Sequence, residues 1–122
     1  MKRTVILKHT LPDGSWHYDW LIQTNQDDAM AVPTFRTGHS RPDEPGQFRA
    51  ERIGDHRAVY LGYEGPISEG RGEVVRAAEG EVVSAAFSDS AFALVVDFGD
   101  RKKLEYAGAW LGEECWNVTV TA

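Results

Sequence analysis

His9-Thr10-Leu11-Pro12-Asp13-Gly14-Ser15-Trp16-His17-Tyr18-Asp19-Trp20-Leu21 reads as a β-hairpin, and its reading decides the fold. Pro12-Asp13-Gly14-Ser15 carries the turn chemistry: proline presets φ, glycine accepts a positive φ, and aspartate caps its own backbone. In extended backbone, side chains two apart share a face. His17, Asp19 and Leu21 therefore point one way, and Trp16, Tyr18 and Trp20 the other. The turn folds His9, on the preceding strand, back beside His17. Two imidazoles and a carboxylate converge on one point, while the aromatic face is expected to be core.

Working outward, Thr4 to Lys8 is a β-branched run with Val5-Ile6-Leu7 at its centre, and Ser15 to Gln23 is its hairpin partner. Thr24 to Asp28 reads as a polar turn. Ala29 to Val32 reads as a third strand, stopped by Pro33, and Thr34 to Gly46 as a long aperiodic loop. Gln47 to Ile53 is a further strand, with Gly54-Asp55-His56 as a turn. Tyr60 to Gly72, rich in glycine, reads as irregular backbone. Glu73 to Arg76, Glu81 to Phe87, Phe92 to Phe98, Lys102 to Tyr106 and Trp116 to Thr121 are strands bounded by Gly, Asp and Ser clusters. No window sustains a helical period. The expectation is all-β: one domain over residues 1–122, a small antiparallel β-barrel of about eight short strands with little helix.

Composition narrows the function classes. An apolar fraction of 42% with 11% aromatic residues belongs to a folded chain. No apolar run approaches the roughly 18 residues of a membrane span, and MKRTVILKHT lacks the apolar core of a signal peptide. No membrane association and a cytoplasmic location are expected. The single Cys115 builds neither an intramolecular disulfide nor a thiolate metal site. A net charge of −6 is unfavourable for broad phosphate-backbone binding, but the acidity is uneven. The stretch from residue 77 to 122 holds three basic and eight acidic residues, whereas 36 to 76 holds seven of each.

Several pieces together resemble one family. Leu7-Lys8-His9, His17-Tyr18-Asp19, Ala31-Val32-Pro33, Asp55-His56 with Tyr60, and Tyr63-Glu64-Gly65-Pro66-Ile67-Ser68-Glu69-Gly70 are similar, in order, to the 3′-phosphoesterase domain of bacterial DNA ligase D and its stand-alone relatives. The resemblance implies a compact β-barrel that binds a divalent metal and trims 3′ ends of nucleic acid. It removes a 3′-phosphate or a terminal ribonucleotide, leaving the 3′-hydroxyl that a separate DNA ligase or polymerase needs. By that resemblance His9, His17 and Asp19 are metal ligands, for manganese or zinc. His56 and Tyr60 are the catalytic residues at the scissile phosphate, and Arg49 and Arg52 are the phosphate-binding candidates.

Two departures bear on activity. The hairpin from His9 to His17 is longer than the family's, but by an even number of residues, which preserves the faces. Leu21 stands where the family places an arginine, whose bidentate guanidinium would hold the phosphate. Two readings follow: a metal-dependent phosphoesterase acting on nucleic-acid 3′ ends, or a metal- or phosphate-binding barrel without turnover. An arginine from elsewhere, Arg36, Arg49 or Arg52, within reach of the metal would favour the enzyme.

Overall fold

A computed structural model describes residues 1–27 and 31–122. The described residues form β1 (Arg3–Thr10), β2 (Trp16–Ile22), β3 (Val32–Gly38), β4 (Gly46–His56), β5 (Gly65–Pro66), β6 (Glu73–Phe87), β7 (Ala91–Asp97), β8 (Lys103–Gly112) and β9 (Cys115–Thr121), with one 3-10 turn at Ala58–Leu61. All pairings are antiparallel, in the order β1-β2-β3-β4-β9-β8-β7-β6. The first half of β6 pairs back onto β1, so the sheet closes on itself, and β5 adds a short rung to β6. Closure leaves no long edge with unpaired backbone groups. The all-β, barrel-like expectation holds.

The β1–β2 hairpin forms as its sequence dictates. Gly14 takes φ +88°, and Asp13 Oδ1 accepts from both the amide and the hydroxyl of Ser15. His9 lies directly opposite His17, and Leu7 opposite Asp19.

Inside the ring, fully buried Trp20 and Phe35 pack with Phe48, Phe92, Tyr106 and Trp116. The indole N–H of Trp20 donates to Thr4 Oγ1 at 2.9 Å, and that hydroxyl donates to the Leu21 carbonyl at 2.7 Å. No buried donor is stranded there. Gly108 makes the ring packing possible, since a Cβ at that position would lie 2.0 Å from the Phe92 ring.

A second apolar cluster sits outside the ring. Val5, Leu7, Leu21, Val32 and Val74 are covered by Leu61, Tyr60, Tyr63 and Ile67. The covering residues belong to the crossover, residues 57–72, which carries the chain from β4 to β6. Strands buried on both faces lose alternation and read as continuous apolar runs. Val5-Ile6-Leu7 and Trp20-Leu21-Ile22 are such runs, with no residue more than 2% exposed.

The structure moves several boundaries, and β8 runs on to Gly112 where the strand was expected to end at Tyr106. Ala29 and Met30 of the expected third strand lie outside the described residues, and β3 begins at Val32, where that strand was expected to end. It continues through Pro33, which occupies an irregularity where the β3–β4 register shifts between Val32 and Thr34, so no ladder donor is missed. The long loop accordingly shrinks to residues 39–45, because Thr34 and Phe35 are fully buried strand residues. Gly54-Asp55-His56 is not a turn but the end of β4, with His56 opposite Val32. Finally, β6 is continuous through Gly80 instead of two strands; a Cβ at Gly80 would meet Val96 Cγ1 at 2.7 Å, so glycine there serves close packing.

Candidate metal centre

The parity of β2 and the β1–β2 register bring His9, His17 and Asp19 together on the outer face of the ring. Their candidate ligand atoms all lie within 4.8 Å of one another, and this group could hold a metal ion. His17 Nε2 is 3.3 Å from Asp19 Oδ1, and His9 Nδ1 is 3.7 Å from Asp19 Oδ2. The two imidazoles meet edge to face, with centroids 4.9 Å apart.

The second nitrogen of His9 is occupied. Its Nε2–H donates to the carbonyl of Arg71 at 2.8 Å, which leaves the Nδ1 lone pair facing Asp19. Metal-binding histidines are usually oriented in this way, with one ring N–H on a carbonyl and the other nitrogen free to ligate. His17 Nε2 is buried and has no hydrogen-bond partner among the described residues. Asp19 Oδ1, 3.3 Å away, is its near polar neighbour but makes no hydrogen bond to it, and a buried nitrogen left so is costly unless a ligand takes up its lone pair. Burial lowers the pKa of His17, against the raising influence of Asp19, so the ring is held in the neutral form that ligates. Two imidazoles and one carboxylate fit a divalent ion with coordination positions left for substrate.

Arg36 completes the group. It lies opposite Asp19 in the β2–β3 ladder, and its Nε donates to Asp19 Oδ1 at 3.2 Å. Its side chain remains 39% exposed, at the head of a cleft of about 570 Å³ that also includes His9, Asp19, His56, Tyr60 and Arg57. The sequence offered Arg36 as one of three arginines, with Arg49 and Arg52, that could come within reach of the metal. Strand alternation alone could not locate it, because the register shift between Tyr18 and Asp19 sets which β3 residue faces the carboxylate.

His56 and Tyr60 line this same cleft. His56 Nδ1–H donates to the Gly54 carbonyl at 3.2 Å, and its ring meets Tyr60 edge to face. Arg57, absent from the sequence reading, lies over the Tyr60 ring and has no carboxylate partner among the described residues. The two expected phosphate-binding arginines are elsewhere. Arg52 is paired with Asp55 at 2.8 Å and stacks over Phe35. Arg49 is exposed in a neighbouring groove that also holds Glu51, Glu113 and Glu114, and which meets the cleft at Arg36. Leu21 is fully buried beneath the crossover and cannot touch a ligand. His39 stacks on Trp16 at 4.0 Å and has no part in the centre.

A scan against protein-family models finds no match for the chain, and neither does a search of curated proteins. No helix among the described residues is long and apolar enough to cross a membrane.

Proposed function

We propose that this protein is a divalent-metal-dependent phosphoesterase acting on 3′ ends of nucleic acid, removing a 3′-phosphate or a terminal ribonucleotide. The observation that carries the reading is the placement of Arg36 on the same Asp19 oxygen that lies 3.3 Å from His17 Nε2, a buried nitrogen that makes no hydrogen bond. The resemblance in the sequence points to the same chemistry, and a guanidinium from β3 takes the place of the one lost at Leu21.

A divalent ion held by His9, His17 and Asp19, manganese or zinc by donor type, would polarise a phosphoryl oxygen and acidify a water nucleophile. Arg36, anchored through Nε, has both Nη groups left to grip phosphoryl oxygens as charge develops. His56 donates through Nδ1 to Gly54, so its Nε2 is the nitrogen available to protonate the leaving oxygen. Tyr60 buttresses that ring. Arg57 adds positive potential at the cleft, a local attraction for phosphate despite the net charge of −6. The 3′-hydroxyl so produced is the substrate of a DNA ligase or polymerase, the class of partner that would use it.

The test is hydrolysis of a primer-template duplex bearing a 3′-phosphate or a single 3′-terminal ribonucleotide, with manganese, alongside His17→Ala. Activity lost in the variant supports the enzyme. Folded wild-type protein that binds metal stoichiometrically yet releases no product would leave a binding module without turnover.

A further inference from the structure

The contact between His9 and Arg71 joins residues 62 positions apart, and it is the crossover that makes it. Arg71 contributes its backbone carbonyl, while its guanidinium is bonded to Ser68. That carbonyl is held in place by the residue after it. Gly72 has φ +93°, and a Cβ there would lie 2.0 Å from the Thr10 carbonyl oxygen and 3.0 Å from Leu11 Cα. Only glycine allows the crossover to lie this close to the end of β1, one residue beyond His9. The crossover is further closed by the Ile67 amide, which donates to the Gly72 carbonyl at 2.7 Å. Tyr63, Ile67 and Tyr60 anchor it on the outer apolar cluster.

The geometry points to the crossover as a positioning element for the metal centre: the Arg71 carbonyl, set by Gly72, holds His9 with Nδ1 toward Asp19, so metal binding and crossover docking are thermodynamically linked. This rests on the metal-centre reading above. With the crossover docked, His9 is fixed in one tautomer and one ring orientation. With it lifted, the ring turns freely and that ordering must be supplied when the ion binds. Linkage is reciprocal, so an ion that binds the docked form better also holds the crossover down. The same segment carries Arg57 and Tyr60, so the wall of the cleft is assembled together with its metal site.

The experiment pairs two readouts on the intact protein. Manganese and zinc affinities are measured by titration for the wild type and Gly72→Ala, and exchange of the Ile67 amide is followed with and without metal. Slower Ile67 exchange on metal addition, with Gly72→Ala binding about 10–100-fold more weakly although all three ligands remain, is the expected result. A purely structural role for Gly72 would lower the melting temperature and leave metal affinity alone. Gly72→Ala with faster Ile67 exchange but wild-type affinity overturns the proposal, as does wild-type exchange indifferent to saturating metal. Should Gly72→Ala not fold, Tyr63→Phe serves instead: it removes the hydroxyl that donates to the Pro66 carbonyl within the crossover, and the same readouts decide. Wild-type protein that binds neither metal would overturn the metal centre itself, a result distinct from metal binding without linkage.

Discussion

Arg36 Nε lies 3.2 Å from Asp19 Oδ1, a cross-strand pair in which one partner is 39% exposed and the other 4%. The buried carboxylate is shared between a guanidinium and two imidazoles, and the exposed end of the guanidinium faces the cleft. Positive charge for binding an anion is thereby supplied from β3, at Arg36, whereas position 21 of β2 carries leucine.

Replacing Arg36 by leucine is expected to lower kcat about 100- to 1,000-fold, the usual cost of losing one preorganised donor to a transition-state oxyanion. Metal affinity should hold or tighten, since Asp19 loses a competing cation. Arg36→Lys keeps the charge but not the fork and should recover only part of the rate. Steady-state kinetics beside a metal titration would check this, and an unchanged kcat in Arg36→Leu would remove Arg36 from the chemistry.

Metal should stabilise the fold. At a free concentration a hundred times Kd, linkage contributes about 2.7 kcal/mol, which for a domain of this size raises Tm by on the order of 10 °C. His17→Ala and Asp19→Asn should each abolish the shift in a thermal melt with and without manganese or zinc. A shift that survives in both variants would place the ion elsewhere.

Placing at position 21 the arginine that the family resembled by the sequence carries there should fail. Leu21 is fully exposed to the outer apolar cluster and not at all to solvent, so Leu21→Arg buries an unpaired charge under the crossover. The expected cost is roughly 4 kcal/mol or more, read by urea denaturation, with no gain in hydrolysis. A stable, more active Leu21→Arg would contradict the burial described here.

Acid should weaken the loop between β3 and β4 through Asp43. Burial alone would raise its pKa, but Arg41, bound at 2.8 Å through both carboxylate oxygens, and Lys102 at 3.4 Å outweigh it and hold the group below its ordinary value. A depressed folded-state pKa means the contribution is fully present above the unfolded value of about 3.9 and is lost as pH falls through the lower folded value. Asp43→Asn should cost about 1–3 kcal/mol at pH 7 and flatten the loss of stability below pH ~4, measured by denaturation across pH.

Local rules made much of the centre legible. The two-residue period of β2 sorts His17, Asp19 and Leu21 from Tyr18 and Trp20, and the turn at Asp13-Gly14 returns His9 to His17; both are consequences of neighbouring residues alone. What local rules misplace is instructive. Pro33 and Gly80 look like breaks, yet β3 and β6 run through them, because a register shift absorbs the missing amide and tight packing against Val96 requires the missing Cβ.

By itself, then, the amino-acid order determined the class of fold, the hairpin, and the convergence of two imidazoles with a carboxylate. Only the tertiary structure decided that Leu21 is core, that Arg36 and not Arg49 or Arg52 reaches Asp19, and that Arg71 orients His9. The physical reason is range: alternation and turn chemistry act within a few residues, whereas these three outcomes depend on ladder register and on a crossover laid over the closed ring.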